Sequence, residues 1–361
     1  MDEREQETFL TFVGNALFDT RCDAASVAAW DRADWEALFR LAARQGVLAV
    51  VYDAVSLLPK ENRPPRNLNL QWALSVENIE NRYCMQLANG AELAGLWTAA
   101  GFRPVVLKGF AVSRYYPVPE HRECGDFDCF LGQDRELGDS IAVGAGAVLE
   151  ESGYKHSHIL YKGLMVENHR FCIGVRGSRE AKELERFLEG LLEEGATEDK
   201  VPGTDMILPP VMFNALFLTF HGLKHFLGEG IRLRHICDWA CFVAREQQNM
   251  DWQTFYAVCD RYHMRRYADV MTAIAVHGLG LRVENPEITV DSRYADRVLS
   301  SVLNDNDLIN SRGKGKWWER FKLLSNMSRY RWKYREIYQK GYFGEMVQLV
   351  TGFVLDRNPK I

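Results

Sequence analysis

Two carboxylates, Asp126 and Asp128, flank one residue in the run Gly125-Asp126-Phe127-Asp128-Cys129-Phe130-Leu131, whose apolar, β-favouring residues predict a strand. Successive strand side chains point to opposite faces, so the two acids share one face while Phe127 and Cys129 turn into the fold. Carboxylates held side by side repel, and desolvating them is costly unless a cation lies between them. A divalent metal ion answers both costs. Upstream, Val105-Val106-Leu107 predicts a short buried strand that breaks at Lys108-Gly109, where a helix can start, and Pro117-Val118-Pro119 turns the chain back.

Further elements must position these acids. Arg135 to Glu151 predicts a helix ending before Gly153. Two strand-like runs follow, His156 to Tyr161 and Leu164 to Cys172, and Lys162-Gly163 between them predicts a tight hairpin turn. Alternation along the second run puts Glu167 and His169 on one face, Val166 and Asn168 on the other. From the residues alone, Glu167 is either a surface strand residue or a further acid of the site. Ahead of all this the chain reads as helices. Phe9, Phe12, Val13, Ala16 and Leu17 recur at helical spacing, and Asp34 can cap a helix carrying Trp35, Leu38, Phe39 and Leu41 that stops at Gly46. A helix over Leu48 to Val55, a Pro-rich linker from Pro59 to Arg66 and a long helix from Leu68 to Ala100 follow.

The ordered string Leu107-Lys108-Gly109, Tyr116-Pro117, Arg122 and Asp126-Phe127-Asp128 resembles the polymerase-β-like nucleotidyltransferases, and within them a bacterial family of uncharacterised nucleotidyltransferases. The resemblance covers roughly residues 30 to 245. It implies an α+β fold with a polymerase-β-like core, a small mixed sheet with helices, over residues 104–210. An N-terminal helical region (1–103) and a C-terminal helical domain (211–361) would flank it. The implied reaction displaces pyrophosphate from the α-phosphate of an NTP, ATP foremost, by a hydroxyl of an acceptor: a small molecule, a sugar or a protein side chain. Two Mg²⁺ or Mn²⁺ ions would clamp the attacking and leaving oxygens. Asp126 and Asp128 would bridge them, and Glu167 would be the third carboxylate, set with His169 on a strand antiparallel to that of the aspartates.

The resemblance assigns the nucleotide to Lys108, Gly109, Ser113 and Arg122. The wider superfamily places a hydroxyl after the turn glycine; here Phe110 follows Gly109. That leaves Ser113, a turn later, as substitute, with Lys108 and Arg122 as cations toward the triphosphate. Sixteen residues separate Gly109 from Asp126, a length that the Tyr115-Tyr116-Pro117 insertion explains and that belongs to this branch. The missing hydroxyl keeps a second function open, a nucleotide-sensing or scaffolding protein that retains the fold without turnover.

Arg179 to Glu194 predicts an amphipathic helix with Leu184, Phe187, Leu188, Leu191 and Leu192 on one side. His221 and His225 share a face of a helix over Val211 to Phe226, without the Glu of a zinc-protease motif between them. Arg232-Leu233-Arg234-His235 and Asp238 follow and again resemble the family. His169, His221, His225, Arg234 and Asp238 are therefore expected to orient the site or meet the acceptor, with Asp238 turning His225 or Arg234 toward the nucleotide. Packing helices are expected over Trp252 to Tyr262, Met264 to His277 and Glu345 to Leu355. Arg312 to Lys340 carries ten Lys or Arg against two Glu among seven Trp, Tyr and Phe residues. It either packs its aromatics while its cations reach solvent, or meets an anionic acceptor such as an RNA end.

The chain has 361 residues and a net charge of −5, which argues against a chain-wide nucleic-acid binder, and no DNA partner is expected. The acidic opening MDEREQETF lacks the apolar core of a signal peptide, and no run reaches bilayer length, so a cytoplasmic protein without a membrane span is expected. Eight cysteines without CxxC spacing predict reduced, buried thiols rather than disulfides or zinc ligands.

Overall fold

Helix signals in the first hundred residues carry over closely to a computed structural model of the protein, which describes residues 3–20, 24–132, 134–175, 178–194, 199–304, 329–342 and 344. Helix α1 (Glu3–Phe18) buries Phe9, Phe12 and Val13. Helix α2 (Arg32–Gln45) is capped by Asp31 rather than Asp34. The Asp31 carboxylate accepts the N–H groups of Ala33 and Asp34, and the Asp34 side chain accepts the Asp31 N–H, closing a capping box. Gly46 ends α2 in the left-handed conformation, φ 67°. After α3 (Leu48–Leu57), the 34-residue α4 (Arg66–Ala99) has no internal proline and runs unbroken. Leu68, Trp72 and Val76 on its first half join a large helical core, whereas Tyr83, Leu93, Ala94 and Trp97 on its second half join a smaller core under the sheet.

Five strands form one mixed sheet: β1 (Val105–Val106), β2 (Phe127–Phe130), β3 (Val148–Ser152), β4 (His156–Tyr161) and β5 (Leu164–His169), in the order β1-β2-β5-β4-β3. Between β1 and β2 lies a single helical turn, α5 (Phe110–Ser113). Two expectations are corrected here. The helix foreseen to Glu151 stops as α6 (Arg135–Gly144), and Gly144-Ala145-Gly146 releases the chain into the edge strand β3. Strands β2 and β5 are parallel, not antiparallel. Helix α6 carries the chain back along β2, and the antiparallel meander β3-β4-β5 then makes its first and third strands point along β2. The β4–β5 turn is as foreseen: Lys162 at φ 48° and Gly163 at φ 80° close a two-residue hairpin.

The remaining helices are α7 (Arg179–Glu194), α8 (Val211–Leu227), α9 (Leu233–Glu246), α10 (Trp252–Arg261), α11 (Arg265–Leu279) and α12 (Ala295–Asn304). On α7, Leu184, Leu188 and Leu192 are buried, but Phe187 is 36% exposed and lies outside the stripe assigned to it. Of the basic, aromatic segment, residues 312–328 lie outside the described residues, as does the helix foreseen over 345–355. Residues 333–338 form a wide helical turn that buries Tyr334, Ile337 and Tyr338, with the Lys333 ammonium 4.2 Å from the Phe226 ring centroid. Among the described residues, no helix is long and apolar enough to cross a membrane, and seven cysteines are free thiols, six of them buried.

Candidate active site

The register of three neighbouring strands lines up five titratable side chains on one sheet face. Asp128 of β2 lies opposite Glu167 of β5, which lies opposite His158 of β4; two residues along β5, His169 lies opposite His156. The other face carries Ser157, Ile159, Val166 and Asn168, all fully buried. There Asp139 of α6 accepts hydrogen bonds from Ser157 Oγ and Asn168 Nδ2, both at 2.7 Å, which ties β4 and β5 together from behind and fixes their register.

Asp128 is 3% exposed, and its Oδ1 meets Lys108 Nζ at 2.9 Å and His169 Nε2 at 3.0 Å. Burial alone would raise its pKa, but the Lys108 ammonium and the His169 hydrogen bond prevail and hold the carboxyl well below the usual range. His169 is fixed from its other side by the Phe171 carbonyl, 3.2 Å from Nδ1. Glu167, about one-fifth exposed, lies 3.4 Å from His169 Nε2, 3.8 Å from His156 Nδ1 and 3.7 Å from His158 Nε2. Its pKa is also lowered: burial opposes this, and the bond to His169 with the nearby positive charges outweighs it. Burial pushes the His156 pKa down to about 4 against the pull of Glu167, so its ring is neutral at physiological pH. Two sets of potential ligand atoms lie within 4.8 Å of one another: Asp128, Glu167 and His169; and His156, His158 and Glu167.

Asp126 precedes β2, half-buried, and is in neither set. Gly109 adopts φ 61°, ψ −110°, a conformation open to glycine, and so aims Lys108 at the acidic face. Phe110 points away from that face into the smaller core, against Tyr83 and Phe127. Ser113 is buried and its hydroxyl pairs with Tyr83 at 2.9 Å. Arg122, given to the triphosphate by the resemblance, binds inward: Nε and Nη2 donate to Asp238 at 2.9 and 2.8 Å, and Nη1 donates to Cys124 Sγ. Asp238 on α9 thus faces Arg122 and the Tyr116 hydroxyl (2.7 Å) instead of turning His225 or Arg234, and Arg234 donates to the Glu123 carbonyl.

His221 and His225 do share a face of α8, ring centroids 4.3 Å apart. His221 Nε2 is 3.5 Å from Lys108 Nζ, which links α8 to the acidic face, and burial with that neighbouring ammonium keeps its pKa well below the ordinary value. Between this helix and the segments just before β4 and just after β5 opens a cavity of about 360 Å³ whose lining includes Lys155, Phe217, Phe220, His221, Lys224 and Tyr334. Burial and the nearby Lys108 charge lower the Lys155 pKa, while Asp128 and Glu167 pull it up.

Sequence reasoning missed Lys155, His156 and His158. The signal was present in His156-Ser157-His158, two imidazoles two residues apart on a foreseen strand beside the strand of Glu167. A family model of the uncharacterised nucleotidyltransferases matches residues 31–280. No curated protein and no solved structure matches the chain. That span takes in the whole sheet, both acids of the β2–β5 rung and helix α8 beside the cavity, and the chain belongs to the uncharacterised nucleotidyltransferase family.

Proposed function

We propose that this protein transfers a nucleotidyl group from an NTP, with ATP the first to test, to a hydroxyl of an acceptor. The observation that carries the reading is the shared rung of Asp128 and Glu167, whose carboxylates converge beside a cavity bordered by Lys155, Lys224 and His221. These two acids fit a hard divalent ion, Mg²⁺ or Mn²⁺, in donor type and separation, and half-buried Asp126, two residues before Asp128, is proposed as a further oxygen donor. When bound, such an ion neutralises charge on the phosphate and on the acceptor oxygen. Lys108 and Lys155 hold the triphosphate as point charges. Glu167 is the base that accepts the acceptor hydroxyl's proton, its lowered pKa keeping it ionised. His169 positions Asp128. The apolar walls Phe217 and Phe220 supply a surface for the base and exclude water.

A second reading, nucleotide binding without turnover, is favoured by Phe110, which stands after the turn glycine where the wider superfamily places a hydroxyl and is packed against Tyr83 and Phe127. One experiment separates the two. The protein is incubated with labelled NTPs, Mg²⁺ or Mn²⁺ and a cell extract, alongside Asp128→Asn. Label transferred by the wild type alone supports catalysis and reveals the acceptor pool. NTP binding with no transfer by either protein supports the scaffold, and equal labelling by both removes Asp128 from the reaction.

A further inference from the structure

We infer that His156, His158 and Glu167 form a binding site for a borderline divalent transition-metal ion, of the Zn²⁺ or Co²⁺ class, at the outer side of the acidic face. Two imidazoles and one carboxylate are the donor set that such ions prefer and that Mg²⁺ or Ca²⁺ does not. All three side chains come from the β4–β5 hairpin, the most regularly paired part of the sheet, with His158 opposite Glu167 in register. The imidazoles stack nearly parallel, centroids 4.8 Å apart and planes 11° apart, and both turn a nitrogen toward Glu167.

The contacts themselves are too long for hydrogen bonds. His156 Nδ1 is 3.8 Å from Oε2 and His158 Nε2 is 3.7 Å from Oε1 of Glu167. His156 Nδ1 is moreover buried with no hydrogen-bond partner, a position unfavourable for a polar atom unless something binds it. Two donors each about 2.1 Å from one ion sit roughly 3 to 3.5 Å apart, so these gaps close around an ion with shifts of tenths of an ångström. Glu167 gives one oxygen to each imidazole, and positions not taken by the three side chains stay open on the side where the half-buried His158 reaches solvent. Glu167 is shared with the proposed transfer site, but binding of an ion by this set does not require nucleotidyl transfer.

Titration of the full-length, metal-stripped protein with Co²⁺ tests it. The expected result is one equivalent bound, with visible d–d absorption, displaced by Zn²⁺. His158→Ala is expected to weaken binding by more than the roughly 10–100-fold that loss of a supporting partner costs. His158→Cys, which restores a ligand of another kind, is expected to bind Co²⁺ with a thiolate-to-cobalt absorption absent from the wild type. Asp128→Asn, outside this donor set, is expected to bind Co²⁺ as the wild type does, whatever it does to transfer. No Co²⁺ binding by the wild type overturns the inference. So does binding unchanged in His158→Ala, His158→Cys without the new absorption, or loss of the ion in Asp128→Asn.

Discussion

Arg122 and Asp238 meet as a buried, doubly hydrogen-bonded pair that ties the loop before β2 to helix α9, with the Tyr116 hydroxyl as a third member. Burial opposes ionisation of Asp238, and the guanidinium reverses that effect, holding its carboxyl below the usual value. Asp238→Ala leaves an uncompensated buried cation and is expected to cost about 3–5 kcal/mol, read as a lowered urea midpoint. Arg122→Lys is expected to be nearly as damaging, because an ammonium cannot reproduce the two-pronged geometry. A variant in which Asp238 tolerates alanine with an unchanged midpoint would show that the pair contributes little to stability.

Asp128 carries the transfer reading. Asp128→Asn is expected to lower kcat by at least about 10²–10³-fold, the range seen when one charge-stabilising group of a site is removed. On the proposed reading, in which Lys108 and Lys155 hold the triphosphate, NTP affinity should change much less. A split of this kind is measured by steady-state transfer beside equilibrium binding of a labelled NTP; a loss confined to affinity would reassign Asp128 to substrate binding.

Gly109 isolates a backbone effect from a packing one. A Cβ there meets nothing within 4 Å, yet the φ of 61° is one that residues with side chains rarely adopt. Gly109→Ala is therefore expected to cost about 1–3 kcal/mol through strain alone. Gly125→Ala, also in open space but without a positive φ, should stay within about 0.5 kcal/mol of wild type. Thermal unfolding of both variants provides the comparison.

His121 gives the expected pH dependence. Its Nδ1 is 2.8 Å from Asp53 and its Nε2 2.9 Å from Glu80, so it ties the loop before β2 to α3 and α4. Burial lowers its pKa, but the two carboxylates outweigh burial and the net shift is upward from 6.5. A raised pKa means that the folded state holds the proton more tightly. The stabilisation is complete below the unfolded value and is lost as pH rises through the folded value, above 6.5. Urea unfolding at about pH 6 and about pH 8.5 should show the loss in the wild type and a flatter profile in His121→Gln. Equal slopes in both proteins would place the dependence elsewhere.

What could be read from the chain was what local periodicity encodes. The placing of Glu167 and His169 on one face followed from alternation, and the hairpin at Lys162-Gly163 and the helix stop at Gly46 from the glycines that turns and helix ends favour. The direction of β5 relative to β2 is set by an intervening helix and an extra strand, and no residue of either strand records it. Strand β3 was hidden because Val148 to Ser152 lies wholly exposed at the sheet edge, without the apolar face that marks a buried strand. The partner of Arg122 lies 116 positions away on a helix, a distance over which charge alone names no partner. That is why the buried tie from Arg122 to Asp238 was not foreseen.

The 34-residue span of α4, roughly 50 Å long, belongs to two cores at once. A Cβ added at its Gly90 would meet the ring of Phe127, the neighbour of Asp128, at 3.7 Å, while Trp72, five turns back, donates to the Leu48 carbonyl of the leading helices. A chain cut to begin at residue 104 would remove one wall of the sheet's interior, and with it the rear support of the β2 strand. The leading third of the sequence is thus a splint for the reacting face, and shortening it is a way to disable the protein without touching an acid.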